Sequence, residues 1–291
     1  MGIVLGVAVA GTGIYLAAGW NRTTRVELAD VLDDFRASSS ASVATSTTSA
    51  PPSSTVAPAV AAPLSEAGST ATIATVPATV PPTTVAGPAP FARPPAGVYT
   101  FRASGGERIS VGGASHTYPA EVYAALTHTA CGYRLKLQVI EEHIDTLELC
   151  VDDRRLSFAS SHQRMTFLGN TAEGSFACNP PIVLIDRAAG VGSERRATCD
   201  AGSIAVVSSA THTTDGVVPL DGEQVPTSRA SWRWSAHGET TGDGEFVFTF
   251  DDRGMLVALS RDTTTTAPSI LGRATHEESA RFELRSRIPQ Q

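Results

Sequence analysis

Three hydropathy regimes follow one another along the chain. Gly2–Trp20 reads GIVLGVAVAGTGIYLAAGW, without a charge or a proline. As a helix rising ~1.5 Å per residue it spans about 28 Å, the thickness of a bilayer's hydrocarbon core. The pattern therefore predicts a transmembrane anchor over residues 1–21, with Trp20 at the membrane–water boundary. The apolar run is longer than a cleaved signal peptide needs, and no basic segment precedes it. Gly2, Gly6 and Ala10 put small residues on one face, where a second copy of the helix could pack. In Thr24–Arg36, TRVELADVLDDFR, apolar residues recur with helical spacing at Val26, Ala29, Leu32 and Phe35, and Thr24 and Glu27 have capping-box spacing. A short amphipathic helix is expected within residues 22–36, lying on the bilayer, pairing with a partner helix, or fraying into a stalk.

Residues 37–97 lose all periodicity. They are Ser, Thr, Ala, Val and Pro, with Glu66 and Arg93 the only charges and eleven of the chain's 18 prolines. Such a segment buries too little apolar surface to offset its ordering entropy, which predicts a disordered linker. As a flexible coil it would reach ~40–47 Å.

From Val98 to the C-terminus the pattern is period two. Leu135, Leu137 and Val139 are in phase, and His143–Cys150 follows as a partner strand after a turn near Glu141. Arg155–Leu168 alternates again. Cys178-Asn-Pro-Pro reads as a turn, Arg187–Glu194 as a loop, and Glu121–Ala125 as at most one helical turn. Trp232 and Trp234 share a phase, Gly242-Asp243-Gly244 reads as a hairpin turn, and Phe246, Phe248 and Phe250 share the next phase. Asp251–Gly254 is a second turn, followed by strands over Met255–Thr266 and Ser269–Ile288. The fold class expected is mainly β, a long curved antiparallel meander in one domain over residues 98–291.

Four cysteines, Cys131, Cys150, Cys178 and Cys199, all fall in this third regime. An even number behind a membrane anchor predicts two disulfides, Cys131–Cys150 and Cys178–Cys199, in an oxidising compartment. That places the domain outside the cytoplasm, on a single-pass membrane protein. Charge narrows the partners. The chain carries a net −7, and residues 98–291 hold 18 Lys+Arg against 24 Asp+Glu. No basic footprint for nucleic acid or for an anionic membrane surface exists in those totals.

Chemistry-bearing motifs are missing. There is no G-x-S-x-G, H-E-x-x-H, phosphate-binding loop or dinucleotide fingerprint. The seven histidines, His116, His128, His143, His162, His212, His237 and His276, are scattered and read as strand-surface residues. Adjacent carboxylates such as Glu141-Glu142 and Asp251-Asp252 read as turn residues. The expectation is a protein without catalytic residues, metal or cofactor.

The one candidate ligand face is Trp232, Trp234, Phe246, Phe248 and Phe250. Both a filled core and the lining of an apolar cavity need such a face, and period alone leaves both open. The run TTGDGEFVFTFDDRGMLVAL after a Trp-bearing strand resembles the lipoprotein-carrier half-barrel (LolA-like) fold. The opening GVYTFRASGGE, with HTYP soon after, resembles single-pass envelope proteins of GC-rich bacteria. The first resemblance implies a curved sheet around a pocket for acyl chains. The expected function is then a membrane-tethered, non-enzymatic module that binds a lipid or another amphiphilic envelope molecule. The alternative is a structural or protein-interaction module of an envelope complex, with the sheet fully packed.

Overall fold

The computed structural model describes residues 23–44 (side chains to residue 39), 90–202, 204–269 and 272–291. The predicted transmembrane anchor and most of the predicted linker lie outside the described residues. Among the described residues no helix is long and apolar enough to cross a membrane.

One helix, α1 (Leu28–Ala44), precedes thirteen strands. These are β1 (Gly97–Ile109), β2 (Ser115–Thr117), β3 (Glu121–His128), β4 (Gly132–Ile140), β5 (His143–Val151), β6 (Arg155–Phe167) and β7 (Asn170–Asp186). They continue as β8 (Glu194–Ala201), β9 (Ile204–Leu220), β10 (Glu223–Ala236), β11 (Thr241–Asp251), β12 (Leu256–Ser269) and β13 (Gly272–Leu284). From β3 to β13 every strand pairs antiparallel with the next, so the expected meander is present. It is not an open half-barrel. β1 pairs with β3 on one side and with β13 on the other, from Phe101↔Leu284 to Ile109↔His276, which closes the sheet into a ring. Short β2 adds beside β1. Closure removes the two free edges that an open sheet would expose to aggregation.

The interior follows from the period-two pattern. Tyr99 and Phe101 of β1, Leu135 and Leu137 of β4, Phe158 of β6, Phe248 and Phe250 of β11 and Phe282 of β13 are almost wholly buried in one cluster. Glu121–Ala125 belongs to β3 and is not helical: Val122, Ala124 and Leu126 alternate into the core while Tyr123 and Ala125 face outward.

The seam between β7 and β8 is thin. Only Ala177↔Asp200 and Cys178↔Cys199 pair there, and the second pair is a disulfide. The residues expected to form a turn, Cys178-Asn-Pro-Pro, instead lie within β7, with a cis Asn179–Pro180 bond. They bulge out of the β6 ladder, which steps from Ser160↔Ala177 to Phe158↔Ile182. Prolines cannot donate to a ladder, and Pro180 and Pro181 have no ladder partner on β6 or β8. The other disulfide, Cys131–Cys150, clamps the β4–β5 hairpin as expected.

The N-terminal segment is part of the barrel's outer wall. Val26 and Val31, with Leu28, Leu32 and Phe35, pack on the outward side chains Val98, Tyr123 and Ala125. The helix therefore neither lies free nor waits for a partner helix: its apolar stripe is used by β1 and β3. It also runs past Arg36, to Ala44. Thr24 does not cap it. Its backbone N–H and its hydroxyl both donate to the Glu142 carboxylate, at 3.0 and 2.7 Å, and Glu141 N–H donates to the Thr24 carbonyl.

Candidate functional site

The predicted aromatic face exists. Trp232 pairs with Phe246, Ala230 with Phe248, Ser228 with Phe250 and Trp234 with Gly244, so all five aromatics point to one side of β10–β11. The hairpin turn lies elsewhere than expected: the strands run through Gly242–Gly244, and the connection is residues 237–240. Gly244 serves a close approach, since a Cβ there would come within 2.7 Å of Trp234 Nε1. The turn falls earlier than expected, β10 ending at Ala236 and β11 starting at Thr241, but the register still sets Trp232 opposite Phe246, so the two phases share a side.

That face is filled. Trp232 stacks on Phe158 of β6 with ring centroids 4.5 Å apart, and Phe176 of β7 lies 5.3 Å from the same indole. β6 and β7 thus pack directly on β10 across the ring. Phe246, Phe248 and Phe250 continue the stack at 6.1 and 6.0 Å. Trp232, Phe248 and Phe250 are buried; Trp234 and Phe246 are half-buried at the margin. The Trp232 indole N–H finds no acceptor, so this side chain contributes through apolar area and ring contacts alone.

A second constellation, not foreseen, occupies the end of the interior near the β4–β5 turn. Three histidines surround the Glu107 carboxylate: His116 Nδ1 at 2.8 Å, His143 Nδ1 at 2.8 Å and His276 Nε2 at 3.1 Å. His143 Nε2 lies 3.1 Å from Asp145, which pairs with Arg261; Arg261 pairs also with Glu278 at 2.5 Å. Tyr118 donates its hydroxyl to Glu278 and sits 3.0 Å from His143 Nδ1. The histidines are therefore not all strand-surface residues. His116, His143 and His212 are buried and His276 nearly so, while His128 and His237 are exposed.

Charge sets the protonation of this cluster. Burial pushes the Glu107 carboxyl up, but the hydrogen bonds from His116, His143 and His276 outweigh it and hold the group well below the carboxylate range. Burial alone would lower the His143 imidazole; Asp145 and Glu278 instead raise it to about 10. His143 is thus an imidazolium with both N–H groups donated, to Glu107 and to Asp145. Asp145 is held low by Arg261 and His143 against its own desolvation.

Glu107, His143 and Glu278 have the donor types and spacing to hold a metal ion. The arrangement does not fit one. The Tyr118 hydroxyl lies against both Glu278 and His143, and the His143 nitrogen that would ligate carries a proton shared with Glu107. The Glu107, His143 and Glu278 side chains are no more than 1 % exposed. What the cluster does is tie β1, β5, β12 and β13 together across the ring.

Two concavities are present among the described residues. One, of about 580 Å³, borders the histidine–carboxylate cluster: Glu107, His116 and Glu278 line it, together with Arg108, Asp243, Asp262 and Glu277. The other, of about 770 Å³, lies beside α1 and includes Asp34, Arg134, Lys136 and Glu148. Neither has the apolar lining an acyl chain requires. Compared with known proteins, the chain matches no protein-family model, no curated protein and no solved structure.

Proposed function

We propose that this protein is a membrane-anchored, non-enzymatic module of the cell envelope, whose barrel acts as a structural or protein-interaction unit and not as a lipid carrier. The observation that carries the reading is the contact of Trp232 with Phe158 and Phe176. The face that would line an acyl-chain pocket is occupied by side chains from the opposite wall. The histidine–carboxylate cluster supports the same reading, since its carboxylates are engaged by His116, His143, His276 and Arg261. Two disulfides and the apolar Gly2–Trp20 stretch favour an extracytoplasmic domain on one membrane helix.

Native mass spectrometry of the full chain, released from detergent, tests this. The expected spectrum shows the polypeptide mass alone, with two disulfides. A stoichiometric amphiphile that survives activation and is absent from a Phe248→Ala variant would restore the lipid-binding reading.

A further inference from the structure

The barrel's two ends differ in charge, and the N-terminal segment is fixed to one of them. At the end that carries the Glu141–Glu142 turn, the described residues of the strand connections are 110–114, 118–120, 141–142, 168–169, 202 and 237–240. By sequence these hold three charges, Glu141, Glu142 and Glu239, together with Val111 and Leu168. Glu142 is already engaged by Thr24. The connections of the opposite end include Asp152, Asp153, Arg154, Arg187, Asp252 and Arg253.

Only three residues separate Trp20 from Thr24. A fully extended chain of that length spans about 14 Å. We infer that the end of the barrel bearing the Glu141–Glu142 turn rests against the lipid surface, pinned there by the Thr24–Glu142 contact. The inference rests on the reading of Gly2–Trp20 as a membrane helix. The partner is a bilayer's headgroup layer, chosen by that chain length and by the low charge of the facing connections, which limits what must be desolvated on approach.

The described residues that flank 45–89 run towards the opposite end. From Thr24, α1 leads away along the wall: its Arg36 donates to the carbonyl of Gln291, and α1's seventeen residues cover about 25 Å. The chain re-enters at Phe91, whose N–H donates to Asp153 and whose ring packs in the core at the charged end. The described residues on both sides of that segment thus lie towards the membrane-distal end.

The test uses full-length protein in phosphatidylcholine vesicles that contain a headgroup-quencher lipid. A bimane label is placed at Glu239→Cys, on the end with the Glu141–Glu142 turn, or at Ala188→Cys, on the opposite end; both sites are exposed. Quenching several-fold stronger at 239 than at 188 is expected, and Glu142→Ala should narrow that difference. Equal quenching at both sites, in protein that floats with the vesicles, would overturn the orientation and leave the anchor standing. Protein that does not float with vesicles would remove the anchor reading, and the orientation with it.

Discussion

Asp145 on β5 and Arg261 on β12 form an ion pair across the barrel interior, with both side chains no more than 6 % exposed. Going round the ring they are five strands apart, so the pair is a long-range tie that no hairpin could supply. Buried charge pairs rarely add net stability over apolar residues of similar size, but losing one partner strands the other. Arg261→Leu is expected to cost about 3–5 kcal/mol in chemical denaturation, because Asp145 and Glu278 lose their cation. The double variant Asp145→Asn, Arg261→Leu should recover part of that loss. Additive losses would show that the two residues do not interact in solution.

The cluster also dictates a pH profile. The His143 pKa is raised from 6.5 to about 10, so its stabilisation is complete below pH 6.5 and is lost as pH rises towards 10. Glu107 is held low, so its contribution is present above 4.5 and is lost as pH falls below that value. Melting temperature should decline from pH 6.5 to 9.5 and again below pH 4.5. His143→Gln should flatten the alkaline limb. A wild-type curve that rises between pH 6.5 and 9.5 would mean that His143 is neutral in the fold.

The two disulfides close 19 and 21 residues, and the chain-entropy argument gives each about 3 kcal/mol. Their structural consequences should differ. Cys131–Cys150 spans a hairpin that its own ladder already holds, so Cys131→Ser, Cys150→Ser should raise amide exchange only near the turn of residues 129–131 and the hairpin end. Cys178–Cys199 is half of the β7–β8 seam. Its removal should raise exchange along β7, β8 and the Phe158–Trp232 contact beneath. Exchange confined to residues 177–200 would show that the ring does not depend on this clasp.

Much of the barrel was legible in the sequence. Alternation located the hairpins, the aromatic face survived a misplaced turn because the observed register, Trp232 opposite Phe246, keeps both phases on one side, and both cysteine pairs lay across near neighbours. Ring closure was not legible, because β1 and β13 meet only after the whole meander has curved, and no local pattern encodes that curvature. The polar cluster was not legible in local patterns, because His116, His143 and His276 are far apart in sequence. A signal was nevertheless present. Glu107 is in phase with Phe101 and Ala103, Asp145 with Leu147 and Leu149, Arg261 with Leu259, and Glu278 with Phe282. A charged residue in the inward phase of four separate strands needs partners inside, and their opposite signs name them. The helix bounds erred for a related reason: Thr24 had the spacing of a cap, but tertiary contact with Glu142 claimed its hydroxyl.

The central claim is that the aromatic face is packed core. Phe248, fully buried between Trp232, Phe246 and Phe250, tests it most directly. Urea denaturation of delipidated Phe248→Ala should show a loss of about 3–5 kcal/mol relative to wild type, with an unchanged denaturant slope. A loss below about 1 kcal/mol, with wild type stabilised by added lipid and the variant not, would contradict the account and make the face a ligand pocket.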